Sequence, residues 1–418
     1  MKSYIIEGGK KLEGEVKISG SKNASLPIIA SCILNDNITK LYNVPNIRDT
    51  QITLKILRLL GCKIKKNSGK IEINSKNMTE KEIPEELMRE MRSTVILAGA
   101  ILGRFKEVTF SYPGGCDIGS RPIDLHLSSF RKLGIQIEEE SGFIHCTCDR
   151  IIGNDINLDF PSVGATENII LASVYAEGIT TITNAAMEPE IVDLANCLNK
   201  MGAKVEGAGT NEIKITGVKK LKSISYGIMP DRIEAGTLLC MAAATGGNIK
   251  LLNVCSEHLV PVIHKLQEAG SNITILKNNI TIKAPRRLKP IEIKTMPYPG
   301  FPTDLQQVFG AMLTTAKGTS VIVENIFENR YKYMTELKRM GAKVTIEGKT
   351  SIIKGVKKLS CASVQSPDLR GGAALVLAAL TAKGESKISH IEYILRGYEK
   401  LDEKLIKLGA SIVLEEGE

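Results

Sequence analysis

One phrase returns six times along the chain and limits what it can fold into: LGCKI from Leu60, LGIQI from Leu133, MGAKV from Met201, AGSNI from Ala269, MGAKV from Met340 and LGASI from Leu408. The glycines fall at 61, 134, 202, 270, 341 and 409, with successive spacings of 73, 68, 68, 71 and 68 residues. A period of this length, held from end to end, marks a repeated supersecondary unit. Each glycine closes a helical pattern, such as TELKRM before Gly341, and opens a short alternating run, such as AKVTIEG. That is a helix stopped at a glycine C-cap and followed by a strand.

Upstream in every unit lies an apolar stretch rich in small residues: SLPIIASCIL, STVILAGAIL, ATENIILASVYA, EAGTLLCMAAA, DLQQVFGAMLTTA and GGAALVLAAL. Each reads as a buried helix and is followed by a strand candidate, among them TKLYNV, EVTFSY and TSVIVENI. The unit is helix, strand, helix, strand, strand, an α/β class with the apolar helix inside. The sixth unit stops after one strand, LGASIVLEEGE, and Met1 to Ser19 carries two strand candidates with no unit of their own. The N-terminal segment is therefore expected to complete the sixth unit. Three units then form each domain: 21–229, and 1–20 together with 230–418, joined by two crossings that suit a hinge.

The chain has 55 Lys and Arg against 46 Asp and Glu, a net charge of +9, which favours anionic partners such as phosphorylated metabolites or nucleic acid. Its apolar runs, such as Ala373 to Leu380, are too short to span a bilayer, and the expected location is the cytoplasm. Nine cysteines are scattered without CxxC spacing or clustered histidines, which indicates neither a disulfide framework nor a zinc site. Cys146 and Cys148, in FIHCTC, read as two side chains on one face of a strand.

The stretch Ser111 to His126, SYPGGCDIGSRPIDLH, concentrates the chemistry. Pro113, Gly114 and Gly115 exclude a regular element before Cys116, so the thiol is read onto a loop. Arg121 adds a permanent cation, and Pro122 suits the first turn of the helix that IDLHLSSFRKLG suggests. A thiol, a cation and a helix start make an anion site that holds a nucleophile or proton donor. The plain alternative is a structural cysteine in a turn; the glycine pair before it and the arginine after it favour the reactive reading.

These motifs, with MRST (91–94), GSKNASLP (20–27), PSVGATEN (161–168), FPTDLQQ (301–307), IFENR (326–330), PDLRGGAALV (367–376) and LRGYE (395–399), resemble the UDP-N-acetylglucosamine enolpyruvyl transferases along essentially the whole chain. The resemblance implies a two-domain inside-out α/β barrel fold of six repeated units, three per domain. It also implies transfer of the enolpyruvyl group of phosphoenolpyruvate to the 3'-hydroxyl of UDP-N-acetylglucosamine with release of phosphate, the first committed step of peptidoglycan synthesis. No cofactor and no metal are implied. The expected partners are these two small molecules, with no nucleic acid and no membrane.

By the same resemblance Cys116 is the proton donor and the target of fosfomycin, and Asp304 is the base for the sugar hydroxyl. Read from the residues alone, Asp304 is equally a helix N-cap before LQQVFGAM, and both roles can hold together. Lys22, Asn23, Arg121, Arg370 and Arg396 correspond to the phosphoenolpyruvate site, with Lys22 and Arg396 also catalytic. Without the family, Arg370 and Arg396 would read as solvated surface charges, although each precedes a glycine at the edge of an apolar element. Arg92, Arg121, Pro122, Ile123, Asp124, Leu125, Ser162, Val163, Gly164, Asp304 and Ile326 correspond to the UDP-sugar site. Arg92 alone would read as a surface residue at a helix start. Phe160-Pro161 stands where some members carry a lysine and valine, which removes a possible diphosphate cation.

Two other readings compete. A shikimate 3-phosphate enolpyruvyl transferase would share the sixfold fold and the basic cluster, but does not rely on a loop cysteine. A DNA sliding clamp would share six α/β units and positive charge, but needs basic helices around a hole, whereas these cations sit at glycine-marked loops.

Overall fold

The computed structural model describes residues 2–67, 69–114 and 123–416. All six repeat glycines adopt φ between 83° and 105°, the left-handed region that stops a helix and turns the chain into a strand. The helix ahead of each is amphipathic and half-exposed; Lys332–Arg339, for example, buries only Tyr333, Met334 and Leu337.

The six apolar stretches form the central helices α1 (Lys22–Ser31), α2 (Ile96–Phe105), α3 (Val163–Ser173), α4 (Arg232–Thr245), α5 (Thr303–Leu313) and α6 (Leu369–Thr381). Four of the six starts are fixed by capping side chains. Ser21, Ser162, Asp231 and Asp368 each accept a hydrogen bond from a backbone N–H in the first turn of α1, α3, α4 and α6. Beyond that turn almost every side chain is buried, as from Ile96 to Gly103 in α2. Small residues allow the close approach: a Cβ on Gly99 would lie 2.5 Å from Asn168 of α3.

The chain separates into two compact units, residues 2–19 with 230–416, and residues 20–114 with 123–229. Each has its own hydrophobic core around three of the central helices. Around them stand six separate sheets, which do not close into a hydrogen-bonded barrel. Each unit's sheet holds the strand after the central helix and two antiparallel strands, and in five of the six a short parallel strand joins at the edge. In the other, only the bridge Glu82–Thr109 occupies that place. The expected unit omitted these parallel strands. Four of them are three residues long, too short to carry a periodicity: Asp155–Asn157, Ser225–Gly227, Glu292–Lys294 and Ser363–Gln365.

The N-terminal segment is split between two sheets of the 230–416 unit. Lys2–Glu7 is an inner strand between Glu385–Ser389 and Ser411–Glu416 of the sixth repeat, and Glu13–Lys17 pairs with Asn248–Leu252 of the fourth. Tyr4, Ile6, Leu12, Val16 and Ile18 are buried in that unit's core. Five such side chains at ~1.5–3 kcal/mol each amount to about 10 kcal/mol, comparable to the whole stability of a domain. Deleting residues 1–19 is therefore expected to unfold residues 230–416 while 20–229 keeps its amide protection. Hydrogen exchange on the truncated protein is the check, and protection retained in 230–416 would refute it.

Candidate active site

In the unit that includes 230–416, the candidate residues gather at the N-terminal ends of α5 and α6. Pro302 holds extended backbone at the α5 cap, with φ −72° and ψ 132°, and Asp304 lies in the first helical turn. Asp304 is not the cap, contrary to the reading from sequence: proline takes that position and no side chain caps the helix. The carboxylate turns instead to two arginines. Oδ2 accepts from Arg370 Nη2 at 3.0 Å and Oδ1 accepts from Arg330 Nη2. The side chains of Arg330 and Arg370 are 4% and 3% exposed and that of Asp304 27%, so the carboxylate is the accessible tip of a buried cationic pair.

Arg370 is far from a solvated surface charge. It follows Asp368, whose Oδ1 accepts from the backbone N–H of Arg370 and Gly371, and it stands over the Tyr398 ring at 5.2 Å. Its Nε and Nη1 are buried with no hydrogen-bond acceptor among the described residues. Burial alone would push the guanidinium down; the opposing pull of Tyr398, Asp304 and Asp231 more than cancels it, and the pKa is raised. A cation with two buried donors to spare is built for an anion. Half-buried Arg396 ends the single turn Ile394–Arg396. Gly397 beside it brings that turn against the start of α6, where a Cβ would lie 2.5 Å from Leu369 Cδ1.

Two residues here were not singled out from sequence. Glu324, 1% exposed, accepts from Thr295 Oγ1 (2.8 Å), Thr303 Oγ1 (2.9 Å), the Ile326 N–H (2.9 Å) and the Phe327 N–H (3.3 Å). It thereby fastens the loop bearing Ile326 to the first residue of α5. Arg330, the last residue of IFENR, is the second arginine on Asp304 and stacks on Phe327 at 5.1 Å. Neither carries a spacing signal, since the side chains they hydrogen-bond, Thr295, Thr303 and Asp304, lie 21 to 29 residues away.

In the unit that includes 20–229 the same logic repeats at the starts of α1, α2 and α3. Lys22 is the first residue of α1, with Asn23 beside it, and its Nζ lies 2.9 Å from the buried carboxylate of Asp49. Half-buried Arg92 opens the 3-10 turn Arg92–Val95 that runs into α2. Ser162 caps α3, and Val163 and Gly164 are its first residues. Three helix starts with two cations make one end of this unit attractive to phosphate groups.

The helix Asp124–Lys132 is tied to that end. Asn168, fully buried in α3, donates to His126 Nδ1 (2.8 Å) and the Val95 carbonyl (3.0 Å) and accepts from the Gly99 N–H (2.9 Å). Gly164 packs closely on this ring: a Cβ there would lie 3.2 Å from His126 Cε1, so the imidazole would have to give by a few tenths of an ångström. Ile123 is buried, Leu125 half-buried and Asp124 exposed at the first helical position. Phe160, 45% exposed, supplies no charge ahead of Ser162. Cys116, Arg121 and Pro122 lie outside the described residues.

Residues 6–405 match the family model described as EPSP synthase (3-phosphoshikimate 1-carboxyvinyltransferase). The chain is 50% identical over 414 residues to UDP-N-acetylglucosamine 1-carboxyvinyltransferase 2 of Caldanaerobacter subterraneus subsp. tengcongensis, covering 99% of each. It is 48% identical over 413 residues to UDP-N-acetylglucosamine 1-carboxyvinyltransferase of Geotalea uraniireducens, again 99% of each. The chain belongs to the UDP-N-acetylglucosamine 1-carboxyvinyltransferase family. Two solved structures share its fold at 22% identity. The enolpyruvyl transferase NikO from Streptomyces tendae has a TM-score of 0.90 over 99% of this chain and 98% of that one. EPSP synthase from Acinetobacter baumannii has 0.78 over 99% and 100%.

Proposed function

We propose that this enzyme adds the 3'-hydroxyl of UDP-N-acetylglucosamine to C2 of phosphoenolpyruvate and then expels phosphate, leaving the enolpyruvyl ether that begins peptidoglycan synthesis. The observation that carries the reading is full-length identity of about half to relatives named for this activity. The Asp304 carboxylate on two buried arginines supports it from the geometry. As the sugar oxygen bonds to C2, its proton passes to Asp304 while Cys116 gives a proton to C3. The Cys116 thiolate then takes a proton back from C3 as the double bond reforms and the C2–O bond to phosphate breaks, the phosphate leaving with the proton held by Asp304. Electrons and protons balance between the substrates and these side chains.

Phosphoenolpyruvate brings a phosphate and a carboxylate. Lys22, Asn23, Arg121, Arg370 and Arg396 are the groups assigned to them, with the unused donors of Arg370 suited to an oxyanion. Arg92, Arg121, Pro122, Ile123, Asp124, Leu125 and the α3 start, Ser162, Val163 and Gly164, are assigned to the UDP-sugar, with Asp304 and Ile326 at the reacting hydroxyl. The site belongs in the cytoplasm, where both substrates are available.

The deciding experiment supplies phosphoenolpyruvate with either UDP-N-acetylglucosamine or shikimate 3-phosphate and measures phosphate release. Release is expected with the UDP-sugar alone. Equal release with shikimate 3-phosphate would overturn the assignment.

A further inference from the structure

The opposite ends of α4, α5 and α6 carry a second pattern. In four of the six repeats, the loop after an antiparallel strand places two cations three and four residues beyond the strand, followed by a buried leucine. The four are Lys10-Lys11 after Glu7, Lys219-Lys220 after Thr216, Arg286-Arg287 after Lys283 and Lys357-Lys358 after Lys354. The corresponding pairs in the first two repeats are Asn77-Met78 and Arg150-Ile151. Three doublets thus fall in the unit that includes 230–416 and one in the other. Residues 1–19 and 230–418 hold 30 Lys and Arg against 22 Asp and Glu, whereas 20–229 holds 25 against 24. Nearly all of the excess positive charge is on one unit.

Hydrogen bonds bring the three loops of that unit to one face. Gly9 N–H donates to the Leu380 carbonyl at the end of α6 (2.8 Å), and Asn248 N–H, just past α4, donates to the Leu12 carbonyl (2.9 Å). Arg287 donates to the Thr315 and Ala316 carbonyls past α5, and to Val356 of the third loop, at 2.9 to 3.1 Å. The doublets therefore ring the C-terminal ends of three central helices. All six doublet side chains are exposed. Arg287 serves the helix carbonyls. Lys10, Lys11, Arg286, Lys357 and Lys358 make no side-chain hydrogen bond or ion pair to any described residue.

Neutralising helix dipoles does not account for this much charge. Three helix C-termini present about −0.5 each, roughly −1.5 together. The doublets alone present six positive charges. Like charges gathered at one face repel one another, and the exposed carboxylates at the same strand ends, Glu7 and Glu385, offset only part of them, so the face would attract a polyanion.

We propose that this face makes electrostatic contact with an anionic bilayer surface. Three doublets around a threefold set of helices form a tripod, and a flat anion can touch all three feet at once, whereas a linear strand passes over two. The face has no exposed aromatic side chain on which a base could stack. Ile275, Leu276 and Ile346 lie toward the other ends of their strands; Val413 is mid-strand, and Ile406, two residues before the Leu408 carbonyl that accepts from the Glu13 N–H, is the exposed apolar side chain nearest the Lys10-Lys11 loop. The contact is peripheral and electrostatic, acting within a Debye length of the lipid headgroups. The absence of a long apolar run, which suggested no membrane partner, bears on spanning alone.

The test is co-sedimentation of the full-length protein with vesicles of phosphatidylcholine, with and without phosphatidylglycerol, across a salt series. Binding is expected only to the anionic vesicles, weakening steeply above roughly 0.15 M salt. The variant K10Q/K11Q/R286Q/K357Q/K358Q, which leaves Arg287 in place, should bind at least about tenfold more weakly. Its turnover in vesicle-free solution should be unchanged. The variant K55Q/K63Q/K65Q/K204Q/K214Q removes as many exposed cations from the other unit and should bind like the parent. Should the first variant fail to fold, K10E/K357E carries the same comparison. No binding to anionic vesicles at low salt, equal weakening in both variants, or tighter binding to duplex DNA or polyglutamate than to vesicles would overturn the proposal.

Discussion

Cys116→Ser is expected to lose roughly 10²–10⁴-fold in turnover while still binding UDP-N-acetylglucosamine. A serine hydroxyl is far too weak an acid to deliver a proton near neutrality, whereas a thiol is the side chain that a cationic setting can bring toward the working pH. Cys116→Asp keeps a group able to donate and should retain part of the activity. The same thiol should open fosfomycin, an epoxide phosphonate steered by the cations assigned to phosphoenolpyruvate, and the aspartate variant should form no adduct. The other cysteines are poor competitors. Cys32, Cys62, Cys146, Cys197 and Cys240 are buried, and burial pushes every one of these thiols up, Cys62 to about 11 and Cys146 to about 12. Burial also raises Cys148, and Cys255 to about 11. Cys361 is the exposed rival. Peptide mapping after fosfomycin treatment decides: an adduct mainly on Cys361, or none, would overturn the role of Cys116.

The repeat made the fold legible because each unit restates the same physics: a small-residue helix that must be buried and a glycine that must turn left-handed. Six restatements identify the six central helices and the strands that follow them. The short parallel strands escaped because three residues cannot show a period. So did the pairing of Ser225–Gly227 with Ile38–Tyr42, a closure between the ends of a three-repeat unit that nothing local announces. At the site, motif residues were legible as types and their partners were not. Lys22 meets Asp49, and Asp304 meets Arg330 and Arg370, across 26 to 66 residues of chain. Arg370 read as a surface charge because arginine is mostly exposed. Its burial depends on Tyr398, Asp368 and Asp304 arriving together. Asp304 read as a cap because aspartate before an apolar helix commonly is one, yet Pro302 already fixes the cap geometry and frees the carboxylate for the arginines.

That release from capping leads to the second large effect. Asp304→Asn keeps the shape of the side chain and removes its charge and its ability to take a proton. If Asp304 is the base, turnover should fall by roughly 10²–10⁴-fold, and the acidic limb of the kcat pH profile, which reports ionisation of the base, should disappear. The fold should also feel the change. Breaking a fully buried ion pair costs about 3–5 kcal/mol; the carboxylate here is 27% exposed, so about 1–3 kcal/mol is expected, read as a lower melting temperature. Glu324→Gln separates the two effects. It disturbs the same helix start through Thr303 and the Ile326 loop but leaves the carboxylate of Asp304 in place. It should lower stability, and turnover in part, with the acidic limb retained. Were the limb to persist in Asp304→Asn with turnover within roughly threefold of the parent, Asp304 would be a structural counter-ion for Arg330 and Arg370, and another group would take the proton of the sugar.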